Sequence, residues 1–404
     1  MPESETAPSE SKSKRLSSTS KIRERFYLPE IDGIRCIAFF LVWMHHNAPG
    51  PGSVLGALQR NGYIGVDIFL ILSSFLISTL LLIEYERKGG ISLLRFYSRR
   101  VLRIWPLLFL ALCLNYLALP TFNYFQDGLQ NPLLLHDLKF HGIPNLMLLG
   151  NWSVAFYGYT QYGYVDHLWT ISLEQQFYLL WPLLLTFVAG KPRQFALWCS
   201  ALILISFIAR FYYISVRLDH PALWVSTITR MDPLAFGGIL ALLYRRRNQK
   251  TKGTLRTRSL LRIAIFVAAL YSIIVILHQV NWTGDAWWKI GVTDLCIAIA
   301  IGCVLNSLEF ARIMRFRPIV WLGKISYGLY VYHTLFIHSP LSGQVRDFSA
   351  RIFGIDGQTI WTWSLGILLN SAILVAVSAI SFYCFERLFL KFKERFEAVA
   401  SRPA

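Results

Sequence analysis

Arg35 and His46 lie eleven residues apart in the first apolar stretch of the chain. At about 100° per residue, eleven helical steps return to within roughly 20° of the starting direction and climb about 16 Å. The two side chains therefore share one stripe, three turns apart. A guanidinium and an imidazole inside an apolar span are costly, and such residues mark a functional site by default. Neutral imidazole, with a pKa near ~6.5, can take a proton from a hydroxyl, which makes His46 a candidate general base. The structural alternative is a histidine hydrogen-bonded to a neighbouring helix. Asp32 stands one turn before Arg35 and is a candidate ion-pair partner. His45, offset by roughly 80° from Arg35, is read as packing.

Further spans repeat this habit. Asp67, Ser74 and Ser78 fall on one helical stripe, either a reacting surface or a polar seam between helices. Arg95, Arg99, Arg100 and Arg103 cluster at the mouth of the third span. Guanidinium forks bind phosphate bidentately, so four of them suit a polyanion, although the same charges also satisfy the positive-inside rule. His167, Glu174 and Tyr178 form another stripe, in which the intramembrane carboxylate needs a cation or a ligand. Arg230 is expected to pair with Glu174 or Asp67, and Asp232 to sit in a structural ion pair. Ser326, Tyr330 and His333 form a last stripe, preceded by Lys324, and His333 alone reads as structural. Asp294 and Arg210 are isolated and receive no role.

The elements that must position these residues are helices in a bilayer. The 404 residues are 54% hydrophobic, with a mean hydropathy of +0.44, too apolar for a soluble protein of this size. The expected fold class is all-α, a polytopic membrane protein with about ten transmembrane helices: 33–50, 63–83, 101–119, 166–189, 194–214, 224–243, 260–278, 288–308, 318–340 and 361–385. Segment 133–150 is interrupted by His136, Asp137, Lys139, His141 and Pro144 and reads as a partly buried outer loop. Most of the 40 Lys and Arg residues fall on one side of this arrangement. The other side has Arg60, Lys139, Arg217, Lys289, Arg346 and Arg351. Both termini are therefore expected to be cytoplasmic. The largest outer loop, 120–165, carries aromatic residues suited to a sugar ring, among them Phe122, Tyr124, Phe125, Trp152, Tyr157 and Tyr162. The expected organisation is a disordered tail over 1–27, a membrane domain over 28–390 and a second tail over 391–404. No internal repeat is found.

Several classes are excluded. The net charge of +17 comes from basic residues that punctuate apolar spans, so no nucleic-acid partner is expected. The six cysteines fall in or beside apolar spans without CxxC spacing, so neither a disulfide framework nor a metal site is expected. The Ser-, Glu- and Lys-rich start has no apolar core of a signal peptide. Walker, GxGxxG, HExxH and GxSxG patterns are missing.

Six stretches, in order, resemble the acyltransferase family 3 membrane proteins, integral-membrane O-acyltransferases of bacterial surface glycans and some small molecules. They are LPEIDGIRCIAFFLVWMHH, GYIGVDIFLILSSFLIS, LLRFYSRRVLRIWP, DHLWTISLEQQFYLLWP, RMDPLAFGGILAL and WLGKISYGLYVYH, with a final FER at 385–387. The resemblance runs from about residue 28 to 390. It implies that Arg35 and His46 are the essential pair. It also implies that Arg100 and Arg103 form an inner arginine motif for the acyl donor, expected to be acetyl-CoA, and it raises the weight of Glu174 and Arg230. Ser74 stands where the family usually has Gly. An appended esterase-like domain, common in relatives, has no counterpart in this sequence, so no acyl relay through one is expected.

The expected mechanism follows. Acyl-CoA enters from the cytoplasm and its phosphates rest on Arg99, Arg100 and Arg103. The pantetheine arm threads between helices one, two and three toward mid-membrane, where His46 activates an acceptor hydroxyl from the outer side. Arg35 positions the donor or pairs with Asp32, and Glu174 orients or charge-balances the histidine. Asp67, His167, Tyr178, Arg230 and His333 support the site. Direct transfer and an acyl-His46 intermediate are equally compatible. The acceptor class is a surface polysaccharide or other glycan, with a secreted small molecule such as a macrolide as alternative, in the inner membrane of a bacterium. A proton-coupled transporter of lipid-linked sugars is the rival class. Oligomeric state is left open.

Overall fold

The computed structural model describes residues 26–47, 54–118, 132–160, 164–218, 220–250, 257–278, 284–353, 360–397 and 399. Among them every regular element is helical. The N-terminal tail and the loop aromatics Phe122, Tyr124, Phe125 and Tyr162 lie outside the described residues.

The first half comprises α1 (Pro29–Asn47), α2 (Val54–Asn61), α3 (Ile64–Lys88), α4 (Leu93–Cys113), α5 (Pro132–Asp137), α6 (Ile143–Leu146), α7 (Gly150–Tyr157), α8 (Trp169–Val188) and α9 (Pro192–Ser215). After these come α10 (Ala222–Val225), α11 (Asp232–Lys250), α12 (Thr257–His278), α13 (Ala286–Asn306), α14 (Leu308–Met314) and α15 (Arg317–Lys324). The last four are α16 (Ser326–Ile337), α17 (Pro340–Phe353), α18 (Ile360–Ser381) and α19 (Arg387–Glu394). Among the described residues five helices are long and apolar enough to cross a bilayer: Ile64–Lys88, Leu93–Leu117, Pro192–Ser215, Ala286–Asn306 and Trp363–Glu394. Their exposed apolar side chains, such as Phe109, Leu204, Ile208 and Ile380, suit contact with acyl chains. The protein is an integral membrane protein.

Several boundaries differ from the sequence reading. The expected helix 224–243 begins only at Asp232, with Pro233 in its first turn, where a missing N–H costs nothing. Arg230 therefore sits in a short 3-10 turn, Ile228–Arg230, rather than inside a helix. The expected helix 318–340 is two helices, broken at Ile325. Segment 133–150 is not a loop: it folds into α5, a π turn over Leu138–Gly142, and α6. Pro132 and Pro144 open helices there instead of ending them. The arginine run belongs to the first turns of α4, not to a loop before it. Past α18 a π turn, Phe382–Glu386, carries the helix on through α19 to Glu394, beyond the expected domain end at 390.

Close helix crossings fix the centre. A Cβ on Gly323 would lie 1.8 Å from the Asp32 carbonyl oxygen, and one on Gly33 would lie 2.3 Å from that of Met314. These glycines let α14 and α15 press directly on the first turns of α1. Likewise a Cβ on Gly237 would lie 2.4 Å from Ile71 O and 2.8 Å from Ser74 Cβ. Small residues at such crossings let backbones approach, and packing then supplies association inside lipid. Ser74, the departure from the family's Gly, uses the approach: its hydroxyl donates to Leu234 O at 2.5 Å. Gly237→Ala gains ~1 kcal/mol of helix propensity but forces backbone apart at a cost of about 1–3 kcal/mol. It should lower the melting temperature in detergent. Gly343→Ala, in a helix with nothing within 4 Å of the new Cβ, should leave it level or raise it.

Candidate active site

Two adjoining chambers share part of their walls. The inner one has a volume of about 790 Å³ and is lined by Arg35, Arg99, Arg100, Arg103 and Lys393 against Asp32 and Glu84. Positive charge is in excess, which suits a polyanion. The chamber is built from the start of α1, the end of α3, the start of α4 and the C-terminal segment. Arg35, Arg99 and Arg100 are each braced. Asp32 holds Arg35 at 3.1 Å and accepts from the Tyr27 hydroxyl at 2.9 Å. Arg99 donates to Phe396 O at 2.7 Å and lies 3.9 Å from Glu84. Arg100 stacks over Phe96 at 5.3 Å and Tyr178 at 5.0 Å, and its Nε has no hydrogen-bond partner. Lys393 and Glu84 were missed in the sequence, because α19 and α3 meet α4 only in the fold.

Arg35, Leu76, Arg100 and Arg103 also line the second chamber, of about 770 Å³. Val66, Phe69, Ser73, Thr170, Glu174, Tyr178, Tyr327 and Tyr330 complete it. Phe69, Tyr178, Tyr327 and Tyr330 give it an aromatic wall, and it runs between α1, α3, α4, α8 and α16. Glu174 acts electrostatically on Arg100 and Arg103. The structure thus places this carboxylate in one chamber with the arginines, a chamber that His46 does not line. The reason is helical register: Glu174 is two turns inward of His167, and His167 marks the level of the histidines.

His46 caps the outer end of α1, where its ring is exposed. It does not line the second chamber, whose outer wall is Tyr330 and Thr170. From Tyr330 a row of rings leads outward. His333 is centred 5.4 Å from Tyr330, and His46 lies 5.1 Å from His333. His167 lies 4.7 Å from His333 on the other side. His167, read in one stripe with Glu174 and Tyr178, and His333, read alone as structural, are thus brought together with His46. Arg35 and His46 remain on one continuous helix, as the spacing predicts.

Asp67 and Arg230 do meet, as one of the two expected pairings, but away from both chambers. Arg230 donates to Asp67 and stacks over Trp224 at 4.0 Å. Beside them Arg210 forks onto Asp232 with two contacts of 2.9 Å, both residues fully buried. Asp294 is buried in the same region. Arg210 and Asp294, assigned nothing from sequence, belong to this ion-pair core. Removing one partner of such a pair strands a charge and costs about 3–5 kcal/mol, so Asp67, Arg230, Arg210 and Asp232 hold the scaffold.

At the end of the bundle that carries His167 sit α5 to α7. The Tyr116 hydroxyl donates to Asp137 at 2.8 Å, and Ser153, which donates to Phe140 O, lies 2.9 Å from His141 Nδ1. Burial, with His136 nearby, pushes His141 down to about 4, below its ordinary ~6.5. The folded cluster prefers neutral His141. Its contribution is full above pH ~6.5 and is lost as pH falls toward 4. Amide exchange in α7 should accelerate over that window beyond the intrinsic chemical trend. His141→Asn, which cannot charge, should remove the excess.

A family model described as an acyltransferase domain, that of acyltransferase family 3, matches residues 28–385. The O-acetyltransferase OatA of Staphylococcus aureus strain NCTC 8325 is 28% identical over 320 residues, 76% of this chain and 50% of that protein. A further S. aureus protein, from strain COL and named as a candidate O-acetyltransferase, is 27% identical over 343 residues, 81% of this chain and 54% of its own length. The chain spans about half the length of these curated relatives. No solved structure matches it. With the match covering Arg35, Arg99, Arg100 and Arg103 as well as the histidine row, the chain belongs to acyltransferase family 3.

Proposed function

We propose that this protein is a membrane O-acyltransferase that moves an acyl group, acetyl first, from cytoplasmic acyl-CoA to a hydroxyl of a surface glycan. The observation that carries the reading is the pair of chambers joined at Arg35, Arg100 and Arg103. A polyphosphate rests in the basic inner chamber. A thin, flexible arm fits the narrow second one, which leads toward Tyr330 and the histidines. The likeness to O-acetyltransferases favours the acetyl group.

In this reading Arg99, Arg100 and Arg103 bind the nucleotide phosphates and Arg35, fixed by Asp32, meets the pantetheine arm. Glu174 keeps the arginines from repelling one another. The Phe69–Tyr330 ring pair, 5.9 Å apart, swings aside to bring the thioester to His46. His46 takes the acceptor's hydroxyl proton as the oxygen attacks the thioester carbonyl. The C–S bond then breaks, and the leaving thiolate recovers the proton from the imidazolium. Ten spans, both termini cytoplasmic and a bacterial inner-membrane location follow from the asymmetry of Lys and Arg. The aromatic outer segment receives the glycan.

His46→Ala should abolish thiol release and acyl transfer from acetyl-CoA while leaving donor binding near normal, checked by calorimetry on purified protein. Retained turnover would remove His46 as the base. Arg103→Ala should weaken donor binding about tenfold or more, the scale of a charge-assisted phosphate contact, with the acceptor KM unchanged. A shift in acceptor KM alone would overturn the assignment of the inner chamber. Offering surface polysaccharide and a macrolide side by side decides the acceptor class.

A further inference from the structure

We infer that His333 is the positioning partner of His46: its Nε2 accepts the N–H of His46 and so aims the other nitrogen of His46 outward at the acceptor hydroxyl. The inference rests on His46 being the base.

The protonation of His333 follows from its neighbour. Its Nδ1 lies 2.5 Å from the carbonyl oxygen of Tyr330. A carbonyl only accepts, so Nδ1 bears the hydrogen and Nε2 is a bare lone pair. That Nε2 is buried and has no partner in the structure, and the whole residue is 0% exposed. A buried acceptor of this kind is unfavourable until a donor reaches it.

Four rings pack against His333: Phe39, His46, His167 and Tyr330. Phe39 has no donor. The Tyr330 hydroxyl donates to His167 O at 3.0 Å and contacts Thr170 Oγ1 at 2.7 Å. Both nitrogens of His167 are occupied, Nε2 by Val331 O at 3.1 Å and Nδ1 by Thr334 Oγ1 at 2.6 Å. Among these rings only His46 has an N–H to spare, because neither of its nitrogens hydrogen-bonds another described residue. A small turn of its exposed ring brings the two nitrogens together. Such a bond does for His46 what a buried acceptor does for any catalytic imidazole: it fixes one tautomer and steadies the imidazolium that forms. His333 ends each cycle unchanged, since the proton from the hydroxyl stays on the outer nitrogen of His46 until the thiolate takes it.

The test uses the full-length protein, with kcat, the KM for acetyl-CoA and the pH profile measured for four variants. The other groups facing the pair are His45, His167, His338 and Tyr330, and they are left intact in each. His333→Phe fills the site without an acceptor, and His333→Gln fills it with an amide oxygen that accepts. His333→Ala and His333→Phe should lower kcat about tenfold or more, move the acidic limb of the pH profile and leave the KM for acetyl-CoA within about twofold. His333→Gln should recover most of kcat. The inference is overturned if Phe and Gln behave alike, or if the acidic limb stays in place. Should His333→Ala fail to fold, the Phe and Gln variants decide alone. His46→Ala separates the two claims: activity retained there removes the base itself, whereas activity lost there beside an unaltered His333→Phe removes only the positioning role.

Discussion

Charge cannot be left uncompensated inside a lipid-embedded bundle, and that constraint organises this molecule. Isolated ions in a low-dielectric medium are costly enough that each must find a counter-ion, a hydrogen-bonded neighbour or a ligand. The protein solves the problem in two ways. In the Asp67–Arg230 and Arg210–Asp232 core the charges close on one another and become scaffold. At the inner chamber Arg35 pairs with Asp32, Arg99 approaches Glu84 and Lys393 approaches Glu397, yet Arg35, Arg99, Arg100, Arg103 and Lys393 still outnumber the carboxylates that line it, Asp32 and Glu84. The excess suits an anionic guest, and on the proposed function this difference in charge balance separates the scaffold arginines from those of the site.

Helix packing serves that separation. Gly323 and Gly33 let α14 and α15 clamp the first turns of α1, which hold Asp32 and Arg35. Gly237 draws α11 onto α3 and brings the segment before α11, with Arg230, to Asp67. The breaks in the helices serve it too. The 3-10 turn before Asp232 orients Arg230 across to α3, and the interruption at Ile325 lets α16 leave the line of α15 to carry Tyr330 and His333 past His167.

Periodicity made part of this readable in advance. The Arg35–His46 stripe depends only on α1 being one unbroken helix, and it is. Arg100 and Arg103 required only one turn of regular spacing. The meeting of Asp67 with Arg230 was one of two options, since counting charges limits partners without choosing among them. Arg99 bonding to Phe396, Lys393 entering the inner chamber and Arg210 finding Asp232 were illegible, because each joins elements distant in the chain. The proline at 144 misled for a local reason: it is compatible with a helix start as much as with a helix end, and only neighbouring packing decides. The grouping of His46, His167 and His333 was likewise invisible, since three separate stripes each gave one imidazole and periodicity within a helix does not say which helices meet.

The outer wall formed by Tyr330 and Thr170 bears on the energetics of the whole membrane. A passage long enough to deliver an acyl group toward the far leaflet is also a route by which protons and small cations would leak down the electrochemical gradient. Here the second chamber ends at the rings of Tyr330 and its neighbours, and a cluster of guanidinium groups at the other end would repel cations before they reached that seal. On the proposed function, such an architecture would reconcile group transfer across a bilayer with an electrically tight barrier, and a cell would keep its membrane potential while modifying its exterior.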